Sequence, residues 1–482
     1  MDSSVLNLGS SLPQLVVAGA GMVVMLADAL WRGPRKGWLG GLALLGLVAG
    51  LASAAMAGIR PPAFDGMLAA DGLSTGFAVL IAGAAMVSVL LATDYLPREG
   101  LEPGAYYALI LFATAGALVM AAAADLIAIF IGLEVLSISL YVLAGYAKGE
   151  AASREAALKY LLLGAFASAF FLYGIALLYG ATGSTRLVAM GQALRQGSSA
   201  PQALVWAGAA LLAVGLGFKL ALVPFHGWAP DVYHGAPTSV TAFMSVVSKA
   251  GAFAALVRLL LIVLPSAMPL MSTILAILAV LTMTVGNILA LAQDDVKRLL
   301  AYSSIAQAGY VLVAIVAGSE LGATAALFYL LGYVFTNLGA FAVVVAWQKK
   351  GATGLPSADL AGLGFRRPWV AAALGLCLLS LTGIPLTVGF IGKFYLFGAA
   401  VQAGWTWLAV VAVLNSVISA FYYLHLVVLM YMREPAAAVP DAPLGWGLRV
   451  ALALCVAGVL VLGLVPGPAM AWVHRLLTAT LV

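Results

Sequence analysis

Apolar runs of about twenty residues recur along the whole chain, and short segments carrying Pro, Gly and charge separate them. Each run matches the ~20 residues that a helix needs to cross the hydrocarbon core of a bilayer. The pattern predicts spans near 12–31, 37–58, 73–92, 104–122, 124–146, 157–180, 204–224, 238–262, 267–292, 299–317, 322–347, 369–399, 404–432 and 448–473. The chain therefore reads as an all-α integral membrane protein of about fourteen transmembrane helices. The first run is followed by Arg32, Arg35 and Lys36 and has no basic segment before it, which marks a span and not a cleaved signal peptide.

Composition supports this reading. Hydrophobic residues make up 64% of the 482 positions and charged residues only 9%, against about 25% in soluble domains. Too few charges remain to build a water-facing surface, so lipid must cover most of it. The net charge of +5 is scattered through short loops and forms no patch, which excludes a nucleic-acid partner. Of the 23 basic residues, fifteen fall in one alternate set of loops, five fall in the other, and Lys219, Lys249 and Lys393 fall inside spans. That bias places the basic loops in the cytoplasm and both termini on the outer, periplasmic side of a bacterial inner membrane. Cys377 and Cys455 lie in separate apolar runs and read as small packing residues. No Cys or His cluster offers an iron–sulfur or zinc site. The 53 glycines suit close helix contacts in lipid.

Chemistry concentrates in a few residues. Glu134 sits about ten residues into the fifth run, Lys219 late in the seventh, Lys249 at the centre of the eighth and Lys393 late in the over-long twelfth. A charge at the bilayer centre costs ~3 kcal/mol even on a lenient scale, so four unpaired would cost roughly 10 kcal/mol. Such groups face a polar interior, pair, or change protonation state. Apolar burial favours the neutral form and a neighbouring opposite charge the charged form, so movement between Glu134 and Lys219 would load or release a proton. The alternative is a structural Glu–Lys pair with snorkelling lysines, although Lys249 lies about a dozen residues from either end of its run.

Prolines interrupt the seventh run at Pro224, followed by Pro230 and Pro237, and the twelfth at Gly383-Ile384-Pro385. Broken backbone at membrane depth is tolerated where it lines protein or water. The two breaks are five spans apart, an odd number, which is the geometry of an inverted repeat. This divides the chain into a three-helix segment (1–103), two five-helix repeats (104–263 and 264–433) and a C-terminal helix (434–482). Two ordinary proline kinks are the alternative. His226 and His234 flank the first break and are candidate proton relays. His425 reads as a satisfied buried histidine.

The stretches GLEVLSISLYVLAGY (132–146), KLALVPFHGWAPDVYHGAPTSVTAFMSVVSKAGAF (219–253), DDVKRLLAYSSIAQAGYVLV (294–313) and LTGIPLTVGFIGKF (381–394) resemble the antiporter-like subunits of respiratory complex I. Within that family the chain looks most similar to the N subunit, because a lysine stands at 393 and no long C-terminal extension follows. The resemblance implies proton translocation within a proton-pumping NADH:quinone oxidoreductase. Glu134 and Lys219 would be the gating pair, Lys249 the central carrier and Lys393 the terminal one. It implies no cofactor on this chain, with NADH, FMN, iron–sulfur clusters and quinone handled by partner subunits. The partners would be other membrane subunits, further antiporter-like ones among them, within the lipid bilayer. A subunit of a multisubunit cation/proton antiporter or of a membrane-bound hydrogenase is the alternative.

Overall fold

The computed structural model describes residues 7–31, 33, 36–196, 201–263, 268–434 and 444–481; Arg32 and Arg35 of the basic-loop count lie outside them. Its helices are α1 (Leu12–Leu30), α2 (Trp38–Ala57), α3 (Gly72–Glu99), α4 (Pro103–Ala122), α5 (Leu126–Ala144), α6 (Ala151–Thr182), α7 (Leu187–Arg195), α8 (Gln202–Leu220), α9 (Trp228–Gly235), α10 (Thr238–Ile262), α11 (Met268–Leu291), α12 (Val296–Val316), α13 (Glu320–Trp347), α14 (Leu363–Arg366), α15 (Pro368–Thr382), α16 (Val388–Gln402), α17 (Thr406–Met432), α18 (Trp446–Leu464) and α19 (Gly467–Leu481). Among the described residues 13 helices are long and apolar enough to cross a membrane. The shorter apolar helices α15 and α16 flank residues 383–387, where the sequence pattern predicts one broken span.

The boundaries differ most from the sequence pattern in two places. The third span runs on to Glu99, with Pro97 inside its last turns. The last span ends at Leu464, and α19 follows as a separate helix after Val465–Pro466, because Pro466 has no amide to continue the ladder of α18.

Helices α10, α12 and α13 form the centre, with 94% of the α12 window buried against 33% for α6 and α18. Small residues let the helices approach. A Cβ at Gly116 would lie 2.6 Å from the Leu136 amide nitrogen, and one at Gly286 2.8 Å from that of Ala306.

The start of α5 and the start of α12 are held in the same way. The Leu126 amide donates to the Thr185 carbonyl at 2.9 Å and the Leu187 amide to the Ala124 carbonyl at 3.0 Å; the Val296 amide donates to the Leu355 carbonyl at 2.8 Å and the Ser357 amide to the Asp294 carbonyl at 2.7 Å. Every residue of the second set stands 170 positions after its counterpart (126 and 296, 185 and 355). Asp125 and Asp295, also in register, cap the two helices through the Ile127 and Arg298 amides.

Most basic loop residues fall at one end of the bundle, here called the basic face. At the other end Arg258, which the sequence pattern assigns to a loop, is buried and grips Asp71 through both terminal nitrogens at 2.6 and 2.9 Å. Asp71 in turn caps α3 through the Ser74 amide. Next to it, a Cβ at Gly72 would lie 1.7 Å from the Leu476 carbonyl oxygen, and the Leu73 amide donates to Thr480 Oγ1 at 2.8 Å. This corner ties α3, α10 and α19 together. Removing one partner of a buried pair strands the other charge, which costs about 3–5 kcal/mol. Arg258→Ala or Asp71→Ala should therefore lower the unfolding temperature in detergent, and the double variant should lose less than the sum of the two singles.

Candidate functional site

The first break follows α8. Ala221 adopts φ 57, its amide turns back to Phe218, and Leu222 bonds to Gly217, so the helix stops one residue after Lys219. The Trp228 indole reaches across the break to the Phe218 carbonyl at 2.9 Å and stacks on Tyr160 with ring centroids 4.5 Å apart. Lys219 is held inside this frame, its ammonium donating to Ser137 Oγ at 2.8 Å and to Tyr160 Oη at 3.1 Å. Glu134, one turn before Ser137 on α5, is half-buried and accepts a hydrogen bond from Ser168 of α6. Among the ion pairs of the described residues there is none between Glu134 and Lys219. The two face the same stretch of α5 with Ser137 between them.

Lys249 lies on α10 at the centre of the bundle, 3% exposed, and donates to the Ser304 carbonyl of α12. Around the second break, Gly383 at φ +92 closes α15 by turning its amide back to Leu379 and Ser380, while Ile384 also bonds to Leu379. The carbonyls of Leu381 and Thr382 are thereby left free, and the Lys393 ammonium takes both, at 3.0 and 2.9 Å. Its third partner is Ser416 Oγ at 3.2 Å, and the Tyr310 ring centroid lies 4.4 Å away.

Side chains on α12 link these two lysines. Ser303, beside the residue that holds Lys249, bonds to the Tyr423 hydroxyl. Gln307, one turn further, donates to that hydroxyl and to the Leu381 carbonyl, both at 3.3 Å. Lys393 shares that carbonyl. Tyr329 donates to the Gln307 side-chain oxygen.

His226 is half-buried within the first break. His234 lies at the basic face, its Nδ1 3.2 Å from Asp295 Oδ1. Beside it Asp231 joins Lys159 at 2.8 Å and Arg298 at 3.0 Å. The Lys159 hydrogen bond, with Arg298, outweighs partial burial and holds the Asp231 carboxyl below the usual carboxylate range. At Asp295 burial pushes upward, but His234 and the Arg298 amide prevail and the value is again lowered.

Several participants are invisible in the span pattern. Lys297, counted there with the loops, is 1% exposed. Ser137, Ser168, Tyr160, Gln307 and Tyr423 carry no charge, and only their helical spacing from the ionisable residues could have marked them. His425, expected to be buried, is exposed on α17. Cys377 and Cys455, distant in sequence, both flank Gly339 as buried free thiols.

Comparison with known proteins brings four findings. The family model described as NADH:quinone oxidoreductase/Mrp antiporter, TM, matches residues 123–419. A Roseiflexus castenholzii protein named NADH-quinone oxidoreductase subunit N 2 is 47% identical over 470 residues, 95% of this chain and 94% of its own length. Among solved structures, a chain of respiratory complex I from Thermus thermophilus with bound aureothin has a TM-score of 0.80 at 38% identity, covering 95% of this chain and 98% of that one. A chain of the Mrp complex from Dietzia superposes with a TM-score of 0.85 at 24% identity, covering 98% and 97%, and so shares the fold.

Two outcomes test this geometry. Gly383→Ala would force a side chain into left-handed backbone, costing about 1–2 kcal/mol, with its Cβ 3.0 Å from Lys393 Cδ; a lower unfolding temperature in detergent checks it. A carboxyl lowered by folding contributes stability above its unfolded value and loses it as pH falls through the folded one. The Asp231 and Asp295 contacts should therefore persist at neutral pH and fail only below the usual carboxylate range. Asp231→Asn should accordingly lower thermal stability at pH 7 and make little difference in strong acid.

Proposed function

The chain belongs to the NADH:quinone oxidoreductase/Mrp antiporter transmembrane family, and from that membership we propose that it is a proton-translocating membrane subunit of an NADH:quinone oxidoreductase. It would be the N-type subunit, in the membrane arm beside other antiporter-like subunits. The observation that carries this reading is the row of buried lysines, each held by side-chain or carbonyl oxygens, with Lys249 and Lys393 joined through α12. The basic face is then cytoplasmic, with both termini outside, because cytoplasmic loops collect Lys and Arg. The register of 170 residues between the starts of α5 and α12 supports two equivalent halves, 104–263 and 264–433.

The chemistry follows from the partners. When the Lys219 ammonium loses a proton, the neutral amine keeps two N–H donors and gains a lone pair. Ser137 and Tyr160 can each turn from acceptor to donor, so neither state leaves a buried group unmatched. Lys393 has the same freedom through Ser416, and its two remaining N–H groups suit the Leu381 and Thr382 carbonyls. A shift in the charge of Glu134, driven by redox energy from neighbouring subunits, changes the electrostatic balance at Lys219. The proton then passes by way of Lys249 to Lys393 and the outer side. His226 is placed to relay protons within the first break, and His234 sits at the cytoplasmic mouth. NADH, FMN, iron–sulfur clusters and quinone would be bound by partner subunits.

A cation/proton antiporter subunit shares the fold, as the Dietzia chain shows, but the N-subunit relative is nearly twice as identical. Co-purification with a flavoprotein arm distinguishes the two. Glu134→Ala and Lys219→Ala should each cut proton pumping and quinone-coupled turnover about tenfold or more, the effect of losing ~1.4 kcal/mol at the barrier. NADH oxidation by an artificial acceptor in the partner arm should stay near normal. Unchanged proton stoichiometry in both variants would overturn these roles.

A further inference from the structure

The cytoplasmic mouth holds a buried cation that the lysine row does not use. Lys297, in the first turn of α12, gives its three N–H groups to three carbonyl oxygens: His234 at 2.8 Å, Ala236 at 2.9 Å and Thr353 at 2.8 Å. A carbonyl can accept and cannot donate. Removing a proton from this nitrogen would leave one of the three carbonyls without its donor and point a lone pair at it, so the site is matched to the ammonium. Lys219 and Lys393 each have a hydroxyl partner that can reverse, and Lys249 has a single carbonyl. By hydrogen-bond complement Lys297 is fixed and the other three are free to exchange.

Its position gives that fixed charge a task. The three carbonyls come from the α9–α10 turn and from the loop after α13, so one ammonium staples the first break to the second half of the chain. Lys297 also floors a cavity of about 350 Å³ at the basic face, lined as well by Glu99, Glu150, Gln348 and Lys350. Ser304, whose carbonyl holds Lys249, stands seven residues further along α12, two helical turns or about 10 Å. The buried hydroxyl of Ser304 lies beside those of Tyr233 and Tyr333. They are neutral polar atoms close to the carrier's acceptor.

We propose that Lys297 is a permanently charged positioning residue: it staples the α9–α10 turn to the 349–356 loop and forms an electrostatic barrier that stops protons on Lys249 from leaking back to the cavity. This rests on the reading of Lys249 as a proton carrier. A unit charge about 10 Å away, at an effective dielectric near 20, disfavours a proton in the gap roughly tenfold.

The test uses the intact complex reconstituted in liposomes loaded with a pH-sensitive dye. Passive proton flux is read under an imposed pH gradient without NADH, and proton stoichiometry is read with it. Lys297→Gln, which keeps a donor and removes the charge, should raise passive flux roughly tenfold and lower net protons per NADH while NADH oxidation continues. Lys297→Arg should remain tight; a merely structural role would move Gln and Arg alike. A tight, fully pumping Lys297→Gln complex overturns the proposal, and so does one that loses turnover and pumping together as a carrier variant would. Should Lys297→Gln not assemble, Gly354→Ala decides. Its Cβ would lie 2.1 Å from Asp295 Oδ2 and 2.7 Å from His234 Cε1, so it displaces the loop beside Thr353 and keeps the charge. Because the charge remains, wild-type tightness supports the electrostatic barrier, and raised passive flux, which a merely structural contact would also give, overturns it. Wild-type complex that builds no gradient with NADH would instead overturn the function proposed above, and the ranking of passive fluxes would still report on the barrier.

Discussion

A cation inside a bilayer must bring its own solvent, and the architecture of this protein follows from supplying it. Water cannot complete the shell of a lysine in hydrocarbon, so every donor left unmatched costs stability. An intact helix has few carbonyls to spare, because each accepts from the amide four residues on. Ending a helix at mid-depth releases them, and the closure of α15 at Gly383 hands two to Lys393. The first break solves the same problem with hydroxyls. There the freed turn positions Trp228 against Tyr160, and Tyr160 meets Lys219.

The kind of acceptor then sorts the lysines. Burial alone does not distinguish them, since Lys219, Lys249, Lys297 and Lys393 are all between 1% and 4% exposed. Hydroxyls accept from an ammonium and donate to an amine, which suits a group that changes its proton count. A full set of carbonyls suits only the charged form. On the function proposed above, the same side chain would serve as a carrier at 219 and 393 and as a fixed charge at 297. The difference lies in three or four partner atoms and not in depth.

Much of this was legible in the sequence, for physical reasons. Twenty-residue apolar runs have one stable solution in lipid, so the crossings read out to within a few residues. The breaks were visible because proline and glycine act locally. The ionisable residues were visible because charge is so rare in an apolar run. What could not be read was the set of neutral partners. Ser137, Tyr160 and Gln307 resemble the many polar residues that helices in lipid tolerate, and only the fold brings them to the lysines. Lys297 was hidden for a related reason. It follows Asp294 and Asp295 and precedes Arg298, so it has the composition of a loop, whereas the loop after α13 closes over it. Arg258 lies near the end of its run, and only the fold brings Asp71, 187 positions earlier, to meet it.

Glu134 is the odd member of the row, and its exposure explains where the chain meets its surroundings. It is half-buried on α5, and its helical neighbours Ile131, Val135 and Ile138 are exposed at 50%, 39% and 57%. The lysines behind it are enclosed. A carboxyl half open to hydrocarbon at mid-depth carries a penalty that Ser168 alone does not remove. A neighbouring subunit laid along this face of α5 would relieve it, and any polar group it presented would act on Glu134 before any other member of the row. The carboxyl lies at the rim and Ser137 stands between it and Lys219. A charge presented there would reach Lys219 across Ser137, with no ion pair between the two to break among the described residues.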